Sequence, residues 1–196
     1  MVSFGVFRMA VREPGFRAVP SAASTGGPNP IQTFRKAICT YHQSGRQAAI
    51  DGISLPSPYW RSDARGKTLA QNYRRSLDTY MSLDGADGRQ AYDTGVNQRL
   101  AVGGEILSIY MDALVYSGTA HTARLALWDV PQPSRAQAEI MASPIITALE
   151  NDVGQDRAHS VAFWHLRSAT VIEVSASDAR AKAVAAADAV RRAAGV

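Results

Sequence analysis

The sequence predicts a single α+β domain with an αβββαβ core, in which a mixed, mostly antiparallel sheet of about four to five strands is flanked by helices. Residues 105–116 and 122–129 are rich in β-branched and aromatic side chains, and the Ser117-Gly118 pair between them is typical of a hairpin turn. A helix-like run, residues 134–151, follows them, and the apolar run 160–166 predicts a further strand. This order of strand, strand, helix and strand is the main evidence for the fold class.

The composition agrees with one globular domain. The 196 residues are 46% hydrophobic and 19% charged, which supplies one sizeable core and excludes a disordered chain. The formal charge of +4 is compatible with a polyanionic partner but is weak evidence for one. Cys39 is the single cysteine, so it excludes an internal disulfide and indicates a reducing, cytoplasmic setting. Because no apolar run reaches the roughly 18 residues of a membrane span, no membrane association is predicted.

The first half of the chain is expected to contain an arm and then helices. Residues 1–28 end in a run of Ser, Gly and Pro that is typical of flexible linkers, so we expect an irregular arm that contributes little to the core. The single domain is then expected to span residues 29–196. In its helical part, residues 29–90, Asn29-Pro30 predicts one helix start and Thr68 predicts another.

The sheet core, residues 96–175, is completed by shorter elements. A strand at 96–102 ends at a Gly-Gly pair, which is a good hairpin turn into the run described above. Ser175 with Asp178 predicts the N-terminal cap of an Ala-rich C-terminal helix, residues 176–194.

Two acids stand at informative places in the predicted strands. Asp112 lies in the middle of a strand among apolar residues, and a buried carboxylate must be hydrogen-bonded, paired, metal-bound or protonated. Strict alternation places Asp112 on the same face as Leu114. Asp129 ends the next strand, on the face of Leu127. Two antiparallel neighbours would thus bring the two carboxylates close together at one edge of the sheet.

This order and spacing resemble the common core of the PD-(D/E)XK nuclease superfamily, and most closely its RecB-like branch. Asp112 matches the Asp that this family carries on its second core strand. Asp129, 17 positions further on, matches the acid that ends the third strand. Gln137 is similar to the Gln with which RecB-like members begin the following helix. The resemblance covers about residues 96–175.

The resemblance implies a metal site and also a defect in it. Asp112 and Asp129 would be the catalytic pair and would bind Mg²⁺ or Mn²⁺, with Glu105 or Glu139 as a third acid. The family carries a Lys two residues after the second acid, where this chain has Pro131. Proline has no cationic tip, so it cannot stabilise charge developing on a phosphate. We therefore expect a catalytically degenerate site, unless Lys36 or Arg124 supplies the missing charge.

Several residues have both a structural and a functional interpretation. Asp112 can simply pair with a buried arginine such as Arg99, and Asp129 can cap the turn that follows it. His165 lies in an apolar strand beside a tryptophan, which favours a hydrogen-bonded core histidine over a metal ligand. Contacts to nucleic-acid phosphates are expected from four arginines, namely Arg61, Arg65, Arg74 and Arg75.

Three functions remain open at this point. The first is a nuclease-like protein that binds DNA or RNA and is catalytically degenerate. The second is an active, metal-dependent nuclease. The third is a non-enzymatic scaffold, acting as a subunit of a larger complex or as a homo-oligomer. A small α+β protein unrelated to nucleases would show the same order of strands and helices.

Overall fold

The computed structural model describes residues 1–16, 30–53, 64–85, 90–128 and 131–196. These ranges form an α+β fold, as predicted. The helices are α1 (Phe4–Arg12), α2 (Pro30–Ser44), α3 (Arg46–Ile53), α4 (Ala64–Asp84), α5 (Arg135–Val153), α6 (Ala176–Arg180) and α7 (Ala183–Ala194). The strands are β1 (Val2–Ser3), β2 (Gln90–Val102), β3 (Glu105–Ser117), β4 (Ala120–Leu127), β5 (Ala158–His165) and β6 (Thr170–Ser175). None of the described helices is both long and apolar enough to cross a membrane.

The six strands form one mixed sheet. Strands β2, β3 and β4 make an antiparallel meander, and β5 pairs with β6 antiparallel. Strand β5 runs parallel to β4, and α5 supplies the crossover that a parallel pair requires. Strand β1 adds a short parallel pairing to β3, where Val2 lies opposite Leu107.

Helices cover both faces of the sheet, and each face has its own core. Helices α1, α5, α6 and α7 contribute to the first, which we call the α5-side core. Helices α2, α3 and α4 contribute to the second, the α4-side core. Strand β4 shows the alternation expected of a strand between two layers, because Leu125 and Leu127 lie in the α5-side core and Ala126 in the α4-side core.

Most elements lie where the sequence predicts them, with shifted ends. The strand expected at 96–102 begins earlier, at Gln90. The last helix is not continuous, since α6 ends at Arg180 and α7 begins at Ala183. The predicted cap is present, with the Asp178 amide donating to Ser175 Oγ at 3.1 Å.

The expectation of an irregular N-terminal arm is wrong for residues 1–16. They form β1 and α1, and Phe4 and Phe7 are buried in the α5-side core. The Ser side chain before the helix caps it, because Ser3 Oγ accepts from the Val6 amide. The linker composition that suggested an arm belongs to residues 21–28, which lie outside the described residues.

The alternation predicted for β3 is also partly wrong. Leu114 lies in the α5-side core together with Leu107, Ile109 and Met111, although strict alternation would place it on the opposite face. Residues 111–115 are all buried, so both faces of β3 are covered there and alternation no longer separates them. The pairing with β2 keeps one register from Glu105 to Leu114 and shifts between Ala91 and Asp93.

Arg124 is a fully buried cation that holds β4 to the α4-side core. Its guanidinium lies 4.0 Å from the centroid of the Trp164 ring and donates to Asp84 at the end of α4. The Tyr41 hydroxyl donates to the other oxygen of Asp84 at 2.8 Å. Arg124 is thus committed to this ion pair, and the idea that it replaces the missing catalytic Lys loses its support.

The buried position of α1 gives a first prediction. Phe7→Ala should lower the free energy of unfolding by about 3–5 kcal/mol, because it leaves a cavity in the α5-side core. Met9→Ala, on the exposed side of the same helix, should change it by less than about 1 kcal/mol. Chemical denaturation of both variants measures the difference. Equal effects would show that α1 is not anchored in the core.

The Arg124 ion pair gives a second prediction. Arg124→Ala should cost about 3–5 kcal/mol of unfolding free energy, since it leaves the Asp84 carboxylate without its buried cation. Arg99→Ala removes an exposed arginine from β2 and should stay within about 0.5 kcal/mol of the wild type. The same denaturation measurement compares the two variants. A neutral Arg124→Ala would show that the pair adds nothing to stability.

Candidate functional site at the fork between β3 and β4

Strands β3 and β4 separate at Asp112. They pair only between Ala113 and Ser117 on the β3 side, although β4 continues to Leu127 and β3 begins at Glu105. Strand β1 takes the place beside the first half of β3, opposite Leu107 and Ser108. The two strands therefore form a fork whose vertex is Asp112.

The Asp112 carboxylate bridges the vertex of this fork. Its Oδ2 atom accepts a hydrogen bond from the Ala126 amide at 2.7 Å, so a side chain replaces the next rung of the ladder. Its Oδ1 atom has no hydrogen-bond partner in the protein and lies 3.8 Å from Arg35 Nε. The residue is 2% exposed. Burial raises the pKa of Asp112 to about 6, while the Arg35 charge, the Ala126 amide and the Arg8 charge act in the opposite direction.

Arg35 reaches the fork from α2. Its guanidinium lies over the Tyr110 ring, 3.7 Å from the ring centroid, and 5.9 Å from the centroid of the Trp128 ring. Its Nε atom is buried and makes no hydrogen bond within the protein. The structural interpretation of Asp112 expects a buried arginine, such as Arg99, or a Tyr hydroxyl as its partner; the arginine is Arg35, and Arg99 is exposed. The partner comes from the helical part of the chain and not from the neighbouring strand.

The fork encloses a cavity of about 310 Å³, which we call the fork cavity. The first turn of α1 closes one side of it, and β3, β4 and α2 form the others. Its polar lining comes from six side chains, namely Ser3, Arg8, Arg35, Asn97, Ser108 and Asp112. The side chain of Arg35 is 31% exposed and that of Asp112 only 3% exposed, so Arg35 lies at the mouth and Asp112 at the floor.

Two further cavities share lining residues with the fork cavity. A cavity of about 430 Å³ shares Arg35, Asn97 and Tyr110 with it and also contains Lys36. A cavity of about 590 Å³ shares Trp128 with it. We call the three neighbouring cavities together the fork groove; the fork cavity and the third cavity have only Trp128 in common among their described lining residues.

The fork groove is strongly basic. The third cavity brings in Arg75 from α4 and Arg167, together with the polar side chains of Asn72, Ser76 and Thr79. Over its described length the groove is lined by five cationic side chains, namely Lys36, Arg35, Arg8, Arg75 and Arg167. Asp112 is the single acid among the described lining residues. This ratio is far from that of the whole chain, whose 21 basic residues face 17 acids.

The four arginines that the sequence singled out do not share one environment in the structure. Arg75 lines the groove. Arg74 is paired with Asp78 on its own helix, at 3.2 Å. Arg65 lies in α4, but its side chain is not described, and Arg61 lies outside the described residues.

The remaining candidate residues lie away from the fork. Glu105 is at the opposite end of β3, seven residues and about 23 Å from Asp112 along the strand. Glu139 pairs with Arg135 at 3.1 Å. Gln137 completes a capping box with Ser134 at the start of α5, its side-chain oxygen accepting from the Ser134 amide at 2.9 Å.

His165 has the structural role that the sequence favoured. It is buried, and its Nδ1 atom is 2.6 Å from Ser168 Oγ, which also contacts Thr170 Oγ1 at 2.7 Å. A histidine held in this way is a core residue of the turn between β5 and β6.

Of the two acids that the resemblance assigns to a metal site, the structure describes only Asp112. One oxygen of Asp112 is used by the Ala126 amide, and the other faces the Arg35 guanidinium, which takes the position of a counter-charge. No group of three acids, histidines or cysteines suited to a metal ion occurs in the described ranges. Asp129 lies outside the described residues. The pairing with Arg35 is the opposite of what a Mg²⁺ ligand needs.

Sequence reasoning missed several residues of the groove, among them Arg35, Trp128 and Arg167. Arg35 follows Phe34 in a helix where the spacing of the apolar residues indicates only the face that packs in the core. Trp128 stood next to Asp129 in a run interpreted as strand, and nothing in that run distinguished a groove residue from a core one. A cation or aromatic side chain becomes a site residue through its neighbours in space, which here come from α2, α4 and the β5–β6 turn.

No protein family and no curated protein matches the chain. Among solved structures, the crystal structure of SSO0001 is similar, with 11% sequence identity over 90% of this chain and 81% of that chain and a TM-score of 0.27. A likeness of this size carries no argument about fold or function. The resemblance to PD-(D/E)XK nucleases therefore stays a prediction from the sequence.

The buried carboxylate gives a prediction for the pH dependence of stability. An ordinary Asp has a pKa of about 4, so between about pH 4 and pH 6 folded Asp112 holds a proton that the unfolded chain has released. Raising the pH from about 4 to about 6 should therefore lower the free energy of unfolding, by up to about 3 kcal/mol.

The test compares the wild type with Asp112→Asn by denaturation from pH 4 to pH 7. The free energy of unfolding of the variant should rise relative to that of the wild type as the pH increases. Asp156→Asn, which removes an exposed carboxylate, is the matched control. A constant difference between Asp112→Asn and the wild type would contradict the raised pKa.

Proposed function

We propose that the protein binds a single strand of DNA or RNA along the fork groove and does not cleave it. The observation that carries this proposal is the lining of the groove, in which five cationic side chains occur together with the aromatic rings of Tyr110 and Trp128. Cations contact backbone phosphates, and aromatic or guanidinium planes can stack on bases whatever their sequence. The Arg35 guanidinium covers one face of Tyr110, and Trp128 packs on Phe34.

The binding half of the proposal is supported by the position of the cations. Lys36 lines the second cavity, and Arg75 and Arg167 line the third, so the cations are distributed over all three cavities. A phosphate backbone has the same repeated charge.

The non-catalytic half is supported by the state of Asp112. In a metal-dependent nuclease this acid would bind the cation that activates water. Here Arg35 faces its one available oxygen at 3.8 Å, and Pro131 stands where the resemblance expects a Lys. An arginine remains protonated at any working pH, so it can neither bind a metal nor accept a proton from water.

Salt-dependent binding tests the proposal. Fluorescence anisotropy with a labelled single-stranded oligonucleotide should give an affinity that falls steeply with salt. Because each phosphate contact on a single strand contributes about 0.7 to the slope of log K against log salt, Arg75→Ala with Arg167→Ala should reduce that slope by about 1.4. Single-stranded DNA, single-stranded RNA and a duplex are compared, and the duplex should bind more weakly.

Arg157→Ala is the charge-matched control for this experiment. Arg157 is exposed and lies beside the start of β4, at the opposite end of that strand from Trp128. An equal loss of affinity in the control would show that the groove has no special role. Cleavage of any of the strands by the wild type with Mg²⁺ or Mn²⁺, abolished in Asp112→Asn, would overturn the non-catalytic half alone.

A further inference from the structure

One half of the sheet is left uncovered by the α4-side core. The strand residues of that core are Ala126, Ala162 and Trp164, which belong to β4 and β5. No residue of β1, β2 or β3 lies in it. On this side of the sheet, the part of β2 and β3 that precedes the fork therefore has no helical layer packed against it as a core.

The strand register identifies the side chains on this uncovered part. Leu107 lies in the α5-side core, so its neighbours Ile106 and Ser108 lie on the opposite face of β3. Their partners on β2 are Ala101 and Arg99, and residues directly opposite one another share a face. We call these four residues, Arg99, Ala101, Ile106 and Ser108, the open face.

The open face is accessible and carries a positive charge. Ile106 is 44% exposed, and Arg99 and Ala101 are exposed as well. The Arg99 guanidinium has no ion-pair or hydrogen-bond partner among the described residues. Other surface arginines, such as Arg135 and Arg180, pair with acids. Because no acid belongs to the open face, Arg99 is available to an anionic ligand.

The open face adjoins the fork cavity. Ser108 belongs to both, since it lines the cavity and lies directly opposite Arg99. Asn97 also lines the cavity and is two residues from Arg99, on the same face of β2. Opposite residues of an antiparallel pair have Cβ atoms about 4.5–5.5 Å apart, so a ligand at Ser108 is within reach of the long Arg99 side chain.

We propose that the open face extends the path of a bound single strand beyond the fork groove. A backbone phosphate of the strand contacts Arg99, and the apolar side chains of Ala101 and Ile106 lie beneath the adjoining nucleotide. This inference rests on the proposed function, because the strand reaches the open face from the fork cavity. It makes the binding site longer than the groove and assigns Arg99 a role in affinity that grows with strand length.

The charge of the open face favours a polyanion over a second copy of this chain. Two copies that met through this face would be related by a two-fold axis, so the same patch would face itself. Two Arg99 side chains would then approach one another with no acid on the face to pair with them. Four side chains are also far fewer than the roughly 20–30 residues a side of a stable protein interface.

Arg99→Ala tests the extension, because an exposed side chain without a partner can be removed while the fold is kept. Fluorescence anisotropy measures the affinity of the full chain for labelled oligothymidylates from about 4 to about 16 nucleotides, the range of site sizes in single-strand-binding domains. The variant should bind the shortest strands as the wild type does and the longest more weakly. For the longest strand, the slope of log K against log salt should fall by about 0.7, the contribution of one phosphate contact.

Three further variants complete the series. Ala101→Asp adds a negative charge to the open face and should weaken the binding of long strands as well. Arg99→Lys keeps the charge and should keep the affinity for long strands close to that of the wild type. Arg157→Ala removes an exposed arginine away from the open face and the groove, and it should leave the length dependence unchanged.

The outcomes separate this inference from the proposed function. Equal affinities of the wild type and Arg99→Ala at every length, with Arg75→Ala and Arg167→Ala still lowering the salt slope, would reject the extension and leave groove binding intact. An equal loss at all lengths that Arg157→Ala shares would show an effect of overall charge and also reject it. Self-association that Ala101→Asp abolishes, with unchanged strand affinity, would assign the face to a second copy. Failure to bind any strand would overturn the proposed function, and the inference with it.

Discussion

The hydrogen bond from the Ala126 amide to the Asp112 carboxylate is the contact on which the rest of the site depends. It occurs where the β3–β4 ladder stops, and it keeps the strands together for one more step while their backbones separate. Because the strands diverge there, β1 can enter beside β3 and α1 can cover the opening. The fork, its cavity and the anchoring of the N-terminal segment thus follow from one side-chain hydrogen bond that replaces a backbone hydrogen bond between β3 and β4.

Burying the Asp112 carboxylate at the fork destabilises the folded protein. A buried carboxylate is destabilising unless it is paired, and Asp112 has only one hydrogen bond and a cation that is too distant for a second. Arg124 shows the alternative, since it is fully buried and donates to Asp84, whose other oxygen receives the Tyr41 hydroxyl. Both ion pairs leave an arginine Nε without a hydrogen bond, but Arg124 is enclosed in the core, whereas Asp112 and Arg35 line a cavity.

Local chemistry explains which elements could be predicted. The β3–β4 hairpin, the cap of α5 at Ser134 and the cap at Ser175 are each encoded within a few neighbouring residues. The ends of β2 and α4 were not predictable to the residue, because packing against other elements extends them. The N-terminal segment was misjudged for a similar reason: Phe4 and Phe7 are a short apolar pattern whose burial depends on a distant gap beside β3.

The sequence by itself determined the class of the fold, the order of its elements and the importance of Asp112, because periodicity and an acid in an apolar strand are local signals. The tertiary structure alone decided what Asp112 faces. The end of β3–β4 pairing at Ala113 places it at the fork, and α2 supplies Arg35 from about 77 positions earlier in the chain. Arg75, Trp128 and Arg167 likewise share a groove only after α4 and the β5–β6 turn have packed against the sheet. A binding surface built from distant segments is a property of packing, which no local pattern contains.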